Sequence, residues 1–417
     1  MPLLMNERRL RREMEKHGFD AIVASTPQNV QYVTDILSDV GCVVLPMEKN
    51  LDPFIVTWVG YADKIADSDT WVKDTKYAGT FFYENSSGGR TALEHRLGKQ
   101  FQRAEKDLQH RYKSRDVAPD GPSLVEKVIE GLAERNLDKA TIGLEESGTT
   151  VSGFELLKRK LPKAKLQFAD GIFTFSRMVK TEYELELFKI GTPMVERGIE
   201  AACKIAREGV SEQELVNECK KSVVSEGAGV GFNPILAVGY RSVMPSNGVG
   251  MDRSTRLEKG EMIRFNPTIF YKDHPFHMGR TVVLGEPREA KLRPYYKAIL
   301  AGSDAELASI KPGVKASEIF SICENAVKSA GIPQFRRHHV GHSLGLGPPS
   351  GGYKIWGCDQ PIFSFDDNTP IEEGMVFNLE PNYYEIGLGG LHLEDTISVT
   401  KTGCTLLTTS SRELRII

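Results

Sequence analysis

Five stretches after residue 230, GFNPILAVG, EMIRFNPTIFY, GRTVVLG, GMVFNLEP and LHLEDTISVT, alternate apolar and polar residues or run apolar outright, as half-buried and fully buried strands do. Helical stretches bracket them. From RMVKTEYELELFKIGTPMVERGIEAACKIAREG onward, apolar residues recur at i, i+3, i+4 and i+7 through two long helices closed by Gly209. A second helical pair is expected near 289–311 and 316–330. Helices of this kind around antiparallel strands predict an α+β domain.

The texture before residue 175 is different. An amphipathic helical stretch at 7–17 leads to the apolar run DAIVAS at 20–25, and PQNVQYVTDI reads as the next helix. ATIGLEE at 140–146 is a further buried strand, followed by the helix FELLKRKLPKA. This alternation predicts an α/β layer over 1–175, joined to the α+β domain over 176–417. At 417 residues the chain is long enough for two or three separate cores. The charge-dense segment 88–116 reads as a solvated helix face or a dimer-facing insertion, with APDGP at 118–122 as a turn.

Composition excludes several classes of function. Net charge is −3, with 26% charged and 40% hydrophobic residues, so no overall field favours nucleic acid or an anionic membrane. The opening MPLLMNERRLRREMEKHG has no apolar h-region, and no apolar run approaches the roughly 18 residues that a spanning helix needs. Cys42, Cys203, Cys219, Cys323, Cys358 and Cys404 show no C-x-x-C spacing, which predicts reduced thiols and a cytoplasmic protein.

Five residues on or beside the strands can do chemistry: Asn266, His277, His342, Glu380 and Glu394. Taken singly, each reads as a satisfied structural group or a solvent-facing side chain. Their settings change that reading. GHSLGLGPP places His342 among glycines, and FNLEP and HLEDT put carboxylates in otherwise apolar strands, where a buried charge needs a partner.

In order and spacing these residues resemble the site of the creatinase and methionine aminopeptidase family, which includes aminopeptidase P and prolidase. The resemblance runs from about residue 180 to the end. Metal-dependent members carry Asp, a second Asp eleven residues on before an R-T signature, His in G-H-x-x-G, Glu before Pro, and Glu before Asp. The matching positions are Asn266, His277 ahead of Gly279-Arg280-Thr281, His342, Glu380 before Pro381, and Glu394 before Asp395. The resemblance implies a pita-bread fold for the C-terminal domain, a smaller creatinase-type domain before it, and a homodimer.

The departures shape the functional expectation. Two divalent ions need about four carboxylates, and here Glu380 and Glu394 are the anionic members. No metal cofactor is therefore expected, with a single Zn, Fe or Mn ion on His277, His342, Glu380 and Glu394 as the alternative. Two family histidines map to Val249 and Pro349, which cannot shuttle a proton. His338 fits the family's substrate-side histidine.

The expectation is a creatinase-like hydrolase that cleaves a C–N bond in a small, charged, non-peptide substrate. The alternatives are a one-metal hydrolase or lyase, an Xaa-Pro peptidase, or a non-catalytic binding protein. His277, His342, His338, Glu380 and Glu394 are the candidate catalytic groups, with one glutamate expected to have its pKa raised by the other. Asn266, Arg280, Asn247, Arg253 and Tyr240 are the candidate substrate contacts. For Arg280 the sequence also allows, and favours, a structural ion pair.

Overall fold

A computed structural model describes residues 3–36, 41–79, 92–100, 102, 123–229, 235–245, 252–347 and 358–417. The chain divides into two compact units, Met1–Arg177 and Met178–Ile417. Most of the segment 88–116, together with Asn247, Val249 and Pro349, lies outside the described residues.

The first unit is built on a six-stranded mixed sheet. Its strands lie in the order Asp74–Ala78, Phe54–Trp58, Cys42–Pro46, Ala21–Ala24, Thr141–Leu144 and Lys165–Phe168. Ala21–Ala24 pairs parallel with Thr141–Leu144 and antiparallel with Cys42–Pro46. The expected helix at 7–17 is there. Asn6 accepts from Arg9 N at its start, and Gly18, in the left-handed region at φ 69°, ends it.

The second unit opens with helices Glu182–Ile205 and Glu212–Ser225. Each starts in a capping box, Thr181 with Glu184 and Ser211 with Glu214, which satisfies backbone N–H groups that the helix itself leaves orphaned. A second pair, Leu292–Ser309 and Ala316–Ser329, packs Tyr296, Ile299, Ile319, Cys323 and Val327 into a core shared with Phe377, Leu379, Leu393 and Ile397. The nine-stranded sheet runs Cys358–Ile362, Gly341–Leu344, Val376–Leu379, Leu393–Val399, Gly279–Val283, Met262–Asn266 and Ile235–Val238. Cys404–Leu406 and Arg415–Ile416 pair alongside this path. Its named neighbours pair antiparallel, apart from the short Arg415–Ile416, which runs parallel to Gly279–Val283.

One expected strand is two. EMIRFNPTIFY breaks at Pro267, which has no N–H to give a ladder. Met262–Asn266 stays in the large sheet, while Thr268–Tyr271 forms a separate hairpin with His274–His277. Lys272 and Asp273 turn it with φ of 48° and 58°, the two positive values of a type I′ turn. Helix Glu182–Ile205 holds this hairpin. Phe276 seats on Gly191, where a Cβ would stand 2.6 Å from its ring, and meets Phe188 edge-on at 5.2 Å.

Candidate active site

Strand register sets the site. Leu379 pairs with Asp395, so one step further Glu380 comes opposite Glu394. Glu394 pairs with Gly279, and the register of the next strand brings Gly279 opposite Asn266. Side chains two residues along a strand share a face, so His342, Asn378, Thr396 and His277 form the row on one side. Asn382, His392, Thr281 and Arg264 form the row on the other. The hairpin explains the spacing of eleven: it carries the chain out after Asn266 and returns His277 and Gly279 to the sheet beside their partners.

Gly279 is required by this packing. A Cβ there would lie 2.6 Å from Cδ of Glu394, because the glutamate side chain lies across the glycine. Glu394 is fully buried and accepts hydrogen bonds from Asn378 Nδ2 at 3.2 Å and Asn382 Nδ2 at 2.6 Å, with His392 Nδ1 3.0 Å from Oε1. The same Asn378 amide reaches His277 Nε2 at 2.9 Å. His277 and His342 stand with ring centroids 5.0 Å apart. His339 hydrogen-bonds Glu380, and Arg337 Nη2 lies 3.6 Å from the same carboxylate oxygen.

The electrostatics differ from expectation. Burial alone pushes both carboxyls up, but the charge and hydrogen bond of His339, with His342 and Arg337 beyond, hold Glu380 well below the usual range. Glu394 is also held low, its burial outweighed by the hydrogen bond and charge of His392. Neither glutamate therefore has the raised pKa predicted for one of them. Burial pushes His342 down to about 4, so the imidazole is neutral at pH 7. Its Nδ1 faces Ser343 O at 3.1 Å; when Nδ1 carries the proton, Nε2 is the acceptor nitrogen.

His277, His342, Glu380, Glu394 and Asn266 are thus brought together. Other predicted residues are not. His338 is exposed in the wall of a cavity that Arg337 and Tyr384 also line, and its neighbour His339 takes the place at Glu380. The two histidines are adjacent in sequence, and the turn before Gly341 decides which one points inward. Arg280 donates to Asp395 at 2.7 Å and to the carbonyls of Glu394, Gly279, Ser410 and Ser411, so it is a structural ion-pair residue rather than a substrate contact. Arg253 is likewise taken by Glu212 at 3.1 Å and by Leu236 O. Tyr240 is 69% exposed, in a surface groove of about 190 Å³ whose lining includes none of the other candidates.

Sequence reasoning missed Asn378, His392, His339, Tyr384 and Arg264. Period two could have found the first two, since Asn378 stands two residues before Glu380 and His392 two before Glu394. Tyr384, whose hydroxyl is 2.7 Å from His392 Nε2, comes from a separate short strand, and nothing in the sequence joins them.

Comparison with known proteins identifies both domains of the chain. Metallopeptidase family M24 matches residues 186–401, and the creatinase/prolidase N-terminal domain matches residues 8–179. The Xaa-Pro dipeptidase of Pyrococcus horikoshii is 32% identical over 281 residues, 66% of this chain and 76% of the relative. That of Pyrococcus furiosus is 31% identical over 276 residues, 66% of this chain and 75% of the relative. Among solved structures, an Xaa-Pro dipeptidase from Bacillus anthracis superposes with a TM-score of 0.77 at 22% identity, covering 98% of each chain. The X-Pro aminopeptidase of Thermotoga maritima gives a TM-score of 0.75 at 21% identity, covering 97% of this chain and all of the other. At these identities the structural likeness speaks for the fold.

Proposed function

The chain belongs to metallopeptidase family M24, and on that premise we propose that it is a dipeptidase of the Xaa-Pro type. Two expectations are corrected here. A creatinase-like enzyme for a non-peptide substrate gives way to a peptidase, because the matching curated relatives are Xaa-Pro dipeptidases. The expectation of no cofactor gives way because the matched family is one of metallopeptidases. The hydrolase class and the two-domain architecture, a creatinase-type N-terminal domain before a pita-bread domain, stand as expected.

The residues as arranged do not fit a pair of ions. Two divalent cations bring four positive charges, and the gathered set opposes them with Glu380 and Glu394 alone. Asn266 is neutral, and among the described residues no three His, Cys, Asp or Glu side chains form a group that could hold an ion. His277, His342, Glu380 and Glu394 match in kind what one Zn or Fe takes, but Glu380 and Glu394 already accept from protein donors.

The chain's own residues can do the following. Ionised Glu380 and Glu394, side by side and desolvated, attract the ammonium end of a dipeptide and orient the attacking water. Neutral His342 accepts the water proton as oxygen attacks the amide carbon. As the C–N bond breaks, it hands that proton to the leaving nitrogen. The observation that carries this reading is the pairing of Glu380 with Glu394, both held ionised, one row from two imidazoles. A homodimer and a cytoplasmic location belong to the same proposal. Among the described residues no helix is long and apolar enough to cross a membrane, and Cys42, Cys203, Cys219, Cys323 and Cys404 are free.

Release of proline from Ala-Pro by the purified chain tests the proposal, with Mn, Co and Zn each supplied in turn. Glu380→Gln should lower kcat/KM by about 100-fold or more, the scale of losing a preorganised charge. No proline released from any Xaa-Pro dipeptide under any of these conditions would overturn it.

A further inference from the structure

One side chain explains much of the misfit between this site and a pair of ions. Asn378 is fully buried on strand Val376–Leu379, in the row with His277 and His342. Its Nδ2 reaches two acceptors at once, His277 Nε2 at 2.9 Å and Glu394 Oε2 at 3.2 Å. An ionised carboxylate can only accept, so the amide must turn its nitrogen to Glu394, and the second N–H is then given to the lone pair of His277 Nε2. With Nε2 accepting, the neutral imidazole carries its own proton on Nδ1, and neither ring nitrogen keeps a lone pair for an ion. Asn378 Oδ1 has no hydrogen-bond partner among the described residues. A buried acceptor left unanswered is a cost, and the two bonds of the nitrogen outweigh it.

Asn382 is the contrasting case at the same carboxylate. Its Nδ2 donates to Glu394 Oε1 at 2.6 Å, and its Oδ1 accepts from Leu393 N at 3.2 Å, so both ends of that amide are tied. Asn378 is held through its nitrogen alone, by a histidine and a glutamate. His392 Nδ1 stands 3.0 Å from Oε1. N–H groups of the protein therefore cover both oxygens of Glu394 and the Nε2 of His277, the atoms through which these side chains would otherwise hold a cation.

We propose that Asn378 governs ion binding at this site: its amide nitrogen ties His277 to Glu394 by hydrogen bonds, and a divalent transition-metal ion gains these two ligands only by displacing it. The inference goes beyond the dipeptidase reading and does not depend on it, because ion binding is read without substrate. A smaller side chain at 378 should leave the imidazole and the carboxylate with unanswered lone pairs, a nitrogen and oxygen set of the kind that Zn accepts. The amide nitrogen cannot stand in as a ligand, since it only donates.

The test is titration calorimetry with Zn on protein stripped by a chelator, with bound metal counted by elemental analysis. Asn378→Ala should bind Zn about tenfold tighter than the wild-type protein or take up an additional equivalent, the scale of the hydrogen bonds that an ion no longer has to break. Adding His277→Gln to that variant should cancel the gain. Wild-type binding by Asn378→Ala, or a gain that survives His277→Gln, overturns the proposal. So does weaker binding, which would mean that the amide turns its oxygen to the ion as a ligand. Asn378→Ser serves if the alanine variant fails to fold, and the wild-type protein gives a reading without either. In nitrogen NMR spectra of histidine-labelled protein, assigned with His277→Gln, one equivalent of Zn should leave His277 as the neutral Nδ1–H tautomer; a Zn-bound His277 there overturns the proposal.

Discussion

Gly279 and Glu394 face each other across two antiparallel strands, so close that a Cβ on the glycine would come within 2.6 Å of the glutamate's carboxyl carbon. Gly279→Ala should push Glu394 off Asn378 and Asn382. The expected result is a folded protein destabilised by about 1–3 kcal/mol, the cost of overpacking, and with most of its dipeptidase activity lost. Wild-type activity in the alanine variant would show that the Glu394 position does not matter to turnover.

Arg280 distinguishes structure from recognition. Its nitrogens are committed to Asp395 and to backbone carbonyls in the segment 410–411. Arg280→Met leaves Asp395 buried with one guanidinium, that of Arg412, instead of two. Denaturant unfolding should show a loss of about 3–5 kcal/mol, typical of breaking a buried pair. KM of the fraction that remains folded should stay at the wild-type value, and a KM raised with stability intact would restore Arg280 as a substrate contact.

Glu306 gives a pH dependence away from the site. It is fully buried in helix Leu292–Ser309, and burial, which outweighs a hydrogen bond from Cys323, pushes its pKa well above 4.5. A raised folded-state pKa means that the native state holds the proton more tightly than the unfolded chain does. This contribution to stability is complete below the unfolded value and is lost as pH rises from there through the folded value. Glu306→Gln removes the titration, so its Tm should fall less than that of the wild-type protein between pH 5 and pH 8. Parallel Tm profiles for the two proteins would contradict the assignment.

Metal stoichiometry follows from the charge count. With Asn266 at the first position and Glu380 and Glu394 as the anionic members, titration with Zn or Mn followed by elemental analysis should saturate at no more than one equivalent per chain. Asn266→Asp adds a carboxylate and should raise the number or the affinity of bound ions. Two tightly held equivalents in the unaltered protein would show that residues beyond this set supply the missing ligands.

Much of this was legible in order and spacing. Period-two patterning located the strands that lead to Glu380 and carry Glu394, though not Gly341–Leu344, the strand of His342, and the capping boxes at Thr181 and Ser211 announce helices whose apolar faces then had to pack. The motifs around Gly279-Arg280-Thr281 and Glu380-Pro381 were specific enough to point to the family. Where reading a substrate from those same motifs went astray, it was by weighing the absent histidines, at Val249 and Pro349, above the overall likeness of the chain to Xaa-Pro dipeptidases.

Local sequence therefore determined which side chains alternate onto one face of each strand, because backbone pleating has a period of two and needs no partner to be read. Tertiary structure decided which strands lie side by side. Hydrogen-bonding register across distant segments puts Glu380 against Glu394, turns His339 rather than His338 toward the site, and brings Tyr384 to His392. It also decided charge. The same carboxyl or His side chain ends up ionised or neutral according to the donors and the water that packing leaves around it, as Glu394 and His342 show in turn.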